Sequence, residues 1–299
     1  MEQIDLNLIR VFVAIYETQS ATAAAEQLDI TQPTVSYGLA KLRDTLSDRL
    51  FVREGRSLKP TPRASLLYPK LRDALIGIGK AIEETHRFDP ETASRMFGIA
   101  MTDIGSLYFL PALEADFRAK APRIGIEVRQ VTVDDIVDQL ASGKLDTAVG
   151  NLPSLRGQTR SAVLFREHYV CLMGADHAAA IGELTMDRFL ASRHVAVSST
   201  YSGHRLAEDA LLDQGISRQI VVRTPYYTAL PLLLAHSDLI VLLPSRIARL
   251  FATQTAVVAL PAPMDLPEFD VRMHWHARHE ASPALGWLLD RLAAIGKNL

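Results

Sequence analysis

Two sets of residues in this sequence have types and spacings that can do chemistry. The first is the run TQPTVSYG, from Thr31 to Gly38. Thr31 is a good helix N-cap. Pro33 then falls in the first helical turn, where its missing N–H is not needed. Gln32, Thr34 and Ser36 stand at the front of that helix, the part that reads base edges in a helix-turn-helix. The second set is dispersed. Thr102-Asp103-Ile104-Gly105 and SSTYSGH, ending at His204, each follow a strand and open a helix. Helix N-termini offer free N–H groups and a positive dipole end. Facing one another across a cleft, two of them would hold an anion such as a carboxylate. Arg246 could add a bidentate contact, and His204 a hydrogen bond to a hydroxyl or carboxylate. Tyr108, Phe109, Tyr226 and Tyr227 supply aromatic surface nearby in sequence. An aromatic or small carboxylic acid fits these groups. Each also has an ordinary reading: Thr102 as an N-cap, Arg246 as a surface charge at a helix start, His204 as a capping side chain.

The elements around the first set are legible from periodicity. Leu8, Val11, Phe12 and Ile15 make a first amphipathic helix. A second helix runs from about Thr22 to Leu28, with Ala23, Ala24 and Ala25 small enough for close crossing. Asp29-Ile30 turns the chain into a third helix, whose apolar face is Val35, Leu39, Leu42 and Leu46. Lys41 falls outside that stripe. Gly38 inside the helix permits close approach, either to a phosphate or to another helix. Leu50 to Lys59 then reads as a β-hairpin wing with Arg53 and Arg56 on and beside its tip. Thr61-Pro62 opens a long helix in which Tyr68, Leu71, Leu75, Ile78 and Ile82 form an a/d-type seam. That seam suits pairing with a second copy, or packing on a core.

After Met96 the pattern becomes alternating strands and helices. FGIAM, IGIEVRQV and LDTAVG are strands with helices between them, an order that implies a parallel sheet. A second set follows: HYVCLM, HVAVSS, QIVVR and LIVLLP, with helices at about 205–214 and 228–235. FDVRMHWHA is a late strand and the last helix spans about 283–295. The fold class expected is thus α/β with a helical, winged helix-turn-helix N-terminal domain. The boundaries are 1–61 for that domain, 62–94 for a linker (dimerisation) helix and hinge, and 95–299 for a two-lobed α/β domain. Lobe I takes about 95–164 plus 268–299, and lobe II about 165–267. Ligands in open α/β sheets bind at the strand ends, here in a cleft between the lobes.

Composition narrows the function. The chain of 299 residues is 48% hydrophobic with net charge −2, which is ordinary for a globular protein. From Thr31 to Arg72, however, nine Lys and Arg face three acidic residues. Beside a helix-turn-helix pattern, that surplus is an electrostatic footprint for DNA phosphates. The single cysteine, Cys171, excludes an intrachain disulfide. Its HYVCLM setting marks a buried strand thiol. His274, His276 and His279 lack the carboxylate or thiolate company of a metal site, so no metal and no cofactor are expected. No GxSxG, Walker A, GxGxxG or HExxH motif is present, so an enzyme is not expected. The absence of a signal-peptide pattern and of any apolar run near 18 residues points to a cytoplasmic protein without membrane contact.

The N-terminal stretches AAEQLDITQPTVSYGLAKLR and LFVREGRSLKPTPRA resemble those of LysR-type transcriptional regulators. PTPRA, AMTDIGSLYFLPAL, HYVCL, GHRL and MHWHA are similar to one branch of that family. It contains nodulation regulators and the salicylate- and nitrotoluene-responsive regulators. The resemblance covers the whole chain. It implies a periplasmic-binding-protein-like effector domain and a winged helix-turn-helix contacting promoter DNA through Thr31, Gln32, Pro33, Thr34, Ser36, Tyr37, Lys41, Arg53 and Arg56. It further implies an effector pocket drawing on Thr102, Ile104, Ser202, His204, Tyr226, Arg246 and His274. His274 stands where a close relative has a phenyl ring, and Tyr37-Gly38 replaces a more usual polar-Ala pair. Implied partners are double-stranded promoter DNA, a small aromatic or carboxylic-acid effector, RNA polymerase, and a second or further copy of the chain. The residues alone leave two alternatives open: an α/β enzyme, or a small-molecule-binding protein whose N-terminal domain only dimerises.

Overall fold

The computed structural model describes residues 5–55, 57–83, 88–153, 155, 157–198 and 204–298. The chain divides into two compact units, Met1–His86 and Arg87–Leu299. The first contains α1 (Leu6–Thr18), α2 (Ala21–Leu28), α3 (Gln32–Leu46), β1 (Phe51–Glu54), β2 (Ser57–Pro60) and α4 (Pro62–Glu83). Asp5, Ser20 and Thr31 are the N-caps of α1, α2 and α3, accepting from the amides of Asn7, Ala23 and Thr34. All three helices end on a left-handed residue that is not glycine: Gln19, Asp29 and Ser47.

The core of this unit is Phe12, Ile15, Ala24, Val35, Leu42, Leu50 and Phe51, all essentially inaccessible. Leu46, expected on the buried face of α3, is only half-buried. Gly38 is buried, and the structure shows its neighbour to be a helix. A Cβ there would meet Val11 Cγ1 at 3.4 Å and Leu8 Cδ2 at 3.5 Å. Those are ordinary contact distances. Gly38→Ala is therefore expected to stabilise the domain by up to about 1 kcal/mol through helix propensity, and Gly38→Leu to cost about 1–3 kcal/mol by forcing α1 from α3. Thermal unfolding of the full chain reads both; equal melting for the two variants would contradict this packing.

The second unit comprises two sheets. The first has strand order β4-β3-β5-β12-β6, where β3 is Met96–Ala100, β4 Gly125–Arg129, β5 Thr147–Gly150, β6 Thr159–Glu167 and β12 Phe269–His276. The second has order β11-β7-β10-β8-β9, where β7 is Tyr169–Gly174, β8 Arg193–Val197, β9 Gln219–Thr224, β10 Leu239–Pro244 and β11 Val257–Pro261. The helices between them are α5 (Asp103–Lys120), α6 (Val133–Ala141), α7 (Ala175–Ile181), α8 (Met186–Ala191), α9 (His204–Asp213), α10 (Leu230–Ala235), α11 (Ser245–Gln254) and α12 (Pro283–Asn298).

Neither sheet is purely parallel, as the β-α-β order had implied. In lobe I β3 runs parallel to β4 and β5, while β12 is antiparallel to β5 and β6. In lobe II β8 runs parallel to β9 and β10, while β7 is antiparallel to β10 and β11. The reason is the double crossing between lobes. A strand that leaves one lobe and a strand that returns to it must lie side by side in opposite directions. The first crossing comes after Glu167, three residues later than the expected boundary, because β6 keeps pairing with β12 down to Glu167 against Phe269. Among the described residues no helix is long and apolar enough to cross a membrane.

Candidate DNA-reading face and effector cleft

The first candidate site is the exposed edge of α3. Thr31, Gln32, Pro33, Thr34, Ser36, Tyr37 and Lys41 are all exposed, while Val35, Gly38 and Leu39 on the other face are buried. Tyr37 is 70% accessible, which is unusual for an aromatic side chain without a partner to cover it. The polar side chains are pre-set. Gln32 Nε2 donates to Ser36 Oγ at 2.8 Å, and the hydroxyls of Thr31 and Thr34 lie 2.8 Å apart. These bonds fix amide and hydroxyl groups at the exposed front of the helix. Arg43 fixes the wing to α3. Its Nε donates to the Arg49 carbonyl at 2.7 Å and its Nη2 to the Phe51 carbonyl at 2.9 Å. Arg53 is exposed on the wing. Arg56 lies outside the described residues.

The second candidate site lies between the two lobes. Thr102, Ile104, Gly105, Tyr108, Phe109, Val149, Gly150, Asn151, Phe165, Glu167, Pro244, Phe269 and Val271 line it. Its volume is about 50 Å³. A dry cavity of roughly 150 Å³ is what accommodates benzene. An aromatic ligand must therefore widen this cleft to enter.

Asp103 and Ile104 hold the cleft narrow. Asp103 Oδ2 accepts from the Tyr227 amide at 2.7 Å and the Thr228 amide at 3.4 Å, across the lobe boundary. Ile104, on a lobe I helix, packs into the lobe II core with Val197, Leu230 and Leu243.

Two helix ends at the cleft, those of α5 and α11, are occupied by the protein's own groups. On α5 the Gly105 amide donates to Thr102 Oγ1 and the Ile104 amide to Asp103 Oδ1. At α11 the occupant is Glu167, whose side chain is 2% accessible. Its carboxylate accepts from Ser245 Oγ at 2.6 Å, the His168 amide at 2.9 Å, the Ser245 amide at 3.1 Å and the Arg246 amide at 3.2 Å. Arg246 Nε lies 3.9 Å from the same carboxylate, and its guanidinium sits 4.5 Å over the Phe165 ring. At α11 an anion is thus supplied by the chain itself; residues 199–203 of the SSTYSGH turn, expected to face α5 across the cleft, lie outside the described residues. Glu167 is a functional residue the sequence reading missed, since a lone acid at a strand end carries no signal of its own.

One polar group in the cleft has no partner. The Tyr108 hydroxyl is buried without a hydrogen bond. Burial, reinforced by the Glu167 charge, pushes its ionisation well above the usual phenol range, so it remains a neutral O–H. Leaving such a group unsatisfied costs about 1–3 kcal/mol.

The structure brings only part of the expected pocket together. Thr102 and Ile104 line the cleft; Arg246 stands behind it, on Glu167 and Phe165. Tyr226 is 56% accessible and lines no part of it, because the neighbouring Tyr227 turns inward and is fully buried in the lobe II core. His274 faces elsewhere. Successive side chains of β12 point to opposite faces of the sheet, so Phe269 and Val271 form the cleft wall while His274, on the other face, lines a separate cavity in lobe I. Ser202 and the side chain of His204 lie outside the described residues. Cys171 is buried, as its strand setting implied, and burial pushes its thiol up to about 12. Among the described residues no three His, Cys, Asp or Glu side chains gather as a metal site.

Comparison with known proteins decides the family. Residues 6–65 match the helix-turn-helix of bacterial LysR-family regulatory proteins, and residues 91–296 match the LysR substrate binding domain. The chain belongs to the LysR family of transcriptional regulators. This LysR-family regulator is 35% identical to the HTH-type transcriptional activator NahR of Pseudomonas putida, over 96% of both chains. It is 30% identical to Nodulation protein D 1 of Sinorhizobium fredii, over 95% of this chain and 88% of that one. The crystal structure of a probable transcriptional regulator from Pseudomonas aeruginosa superposes with a TM-score of 0.79 at 30% identity, covering 97% of this chain and 96% of that one. The protein is accordingly a DNA-binding transcriptional regulator with an effector-binding domain. Its fold is a helical helix-turn-helix unit followed by α/β lobes, with the relationships of the nodulation-regulator branch.

Proposed function

We propose that this regulator responds to an uncharged aromatic molecule bearing a hydroxyl group, bound between the lobes. The unpartnered Tyr108 hydroxyl in an apolar cleft carries this reading. A ligand hydroxyl or carbonyl opposite it would satisfy a buried group that is otherwise orphaned. A carboxylate ligand would instead meet the Glu167 charge, with the α5 and α11 amides named above already engaged. Effector entry widens a cleft that Asp103 and Ile104 hold narrow. A ligand that prefers the wider state shifts the population toward it. On the DNA side, Thr31, Gln32, Pro33, Thr34, Ser36, Tyr37 and Lys41 meet the major groove, and Arg53 meets the backbone beside it. Two copies paired through α4, where Ile78 is 40% accessible and Leu75 half-buried, would present two such heads at half-sites separated by whole helical turns. RNA polymerase is the partner through which promoter occupancy would act.

The test is a thermal-shift titration of the full chain with phenol, benzyl alcohol and benzoate. A ligand that binds the native state raises its apparent stability. Phenol and benzyl alcohol are expected to raise the melting temperature saturably and benzoate to have little effect. Tyr108→Phe should weaken the two neutral ligands by about tenfold. Stabilisation by benzoate alone, or an unchanged response in Tyr108→Phe, overturns the assignment.

A further inference from the structure

His274 leads to a second cavity. It pairs with Ser161 of β6 and with Ala148 of β5, so these side chains share one face of the lobe I sheet. Ala148 packs with Ile136 and Leu140 of α6. Met273, on the opposite face, packs with Leu288 of α12. On the α6 side a cavity of about 270 Å³ opens between the strands and Asn151, Leu152, Pro153 and Leu155. Arg160, Arg272, His274, Ser161, Thr159 and Asn151 supply its polar lining, and among the described residues no carboxylate lines it. This cavity is several times larger than the inter-lobe cleft and, unlike it, polar.

His274 is 5% accessible, and its Nε2 is buried with no hydrogen-bond partner. A buried polar atom of this kind costs free energy that a ligand or ordered water can recover. Arg272 is held in place by Asp270, at 3.0 Å from Nη2, and by Ser161 Oγ, at 3.3 Å from Nη1. A guanidinium has five N–H donors, so two bonds leave others to offer. The Arg160 guanidinium is 3.8 Å from Glu280, an exposed pair worth little in water.

We propose that this cavity is a second ligand site, one that takes a small oxyanion, carboxylate or phosphate, on Arg272, His274 and Ser161. The chemistry is that of an anion subsite: guanidinium and hydroxyl donors, an imidazole, and no competing acid among the described lining residues. The site is separate from the effector cleft yet shares a wall with it. Asn151 lines both, and β12 presents Phe269 and Val271 to one and Arg272 and His274 to the other. An anion bound here is positioned to bias the strand that forms the effector wall.

The experiment is a calorimetric titration of the full chain with sodium succinate and, separately, inorganic phosphate, at ionic strength matched with sodium chloride. The His274 imidazole signal is followed by NMR in the same titrations. Burial and Arg272 hold that imidazole down at about 4, and an adjacent anion draws it upward. Saturable binding of either probe that shifts His274 is expected, and which probe binds identifies carboxylate or phosphate as the source. Arg272→Gln, at a half-exposed position that does not threaten folding, should weaken binding about tenfold or more. His274→Phe should do the same. Three results overturn the proposal: no binding of either probe beyond the chloride control, binding that leaves the His274 signal unmoved, or binding that survives Arg272→Gln at full strength.

Discussion

Glu167→Ala is expected to destabilise the effector domain by about 3–5 kcal/mol, the cost of stripping one partner from a buried charged network. Four donors converge on this carboxylate: the amides of His168, Ser245 and Arg246 and the Ser245 hydroxyl. Alanine takes the acceptor from the His168 and Arg246 amides and the Ser245 hydroxyl, while the Ser245 amide keeps the His168 carbonyl at 2.8 Å, at the point where β6 hands the chain to the second lobe and α11 begins. Arg246 loses its ionic partner and remains only on the Phe165 ring. Glu167→Gln keeps the shape and one carbonyl acceptor, but turns an NH₂ toward donors. It should cost less, about 1–3 kcal/mol. Because it removes the charge that opposes a carboxylate, it should also shift ligand preference from phenol toward benzoate. Both tryptophans, Trp275 and Trp287, belong to the effector domain, so urea unfolding followed by tryptophan fluorescence isolates it. An alanine variant with the parent's midpoint would show that the carboxylate is dispensable to the lobe junction.

Replacing Gln32 and Ser36 together by alanine is expected to lower affinity for a specific operator by about 2–4 kcal/mol, since each good base contact contributes about 1–3 kcal/mol of discrimination. The two side chains are hydrogen-bonded to one another on the exposed front of α3, while Val35 and Leu39 carry the packing. Folding should therefore be untouched. Binding to random-sequence duplex should also be little changed, because that component comes from phosphate neutralisation. Arg53→Ala should do the reverse, weakening all sequences alike and reducing the salt slope by about one. Electrophoretic shifts on duplexes selected by the parent chain, measured at two salt concentrations, separate the effects. Equal losses on selected and random duplex for the alanine pair would move base reading away from this helix front.

The division between the two halves of the chain has a physical origin. In the first unit, every feature that matters is local. The N-caps at Ser20 and Thr31, the apolar spacing along α3 and the wing between Phe51 and Pro60 are set by residues a few positions apart. Periodicity and capping therefore reached α3 and its exposed polar edge without a structure. The helix that Gly38 approaches needed coordinates, because a glycine records that something is close but not what.

In the second unit the strands were mostly legible and the site was not. The cleft joins side chains at 102–109, 149–151, 165–167, 244 and 269–271, which come together only through strand pairing and two lobe crossings. β6, with its solvent-facing Arg160, Val163 and Arg166, lacks the unbroken apolar run of its neighbours. It went unassigned, and Glu167 with it. Alternation along β12 put His274 on the face opposite Phe269 and Val271, at a cavity of its own that only the strand pairing and residues 151–153 and 155 complete. Sequence alone determined that this protein carries a DNA-reading head on an α/β sensor, because those conclusions rest on short-range pattern and charge. Tertiary structure decided what the sensor can hold. A helix N-terminus attracts an anion from wherever one is nearest, and here Glu167 and Asp103 arrive first.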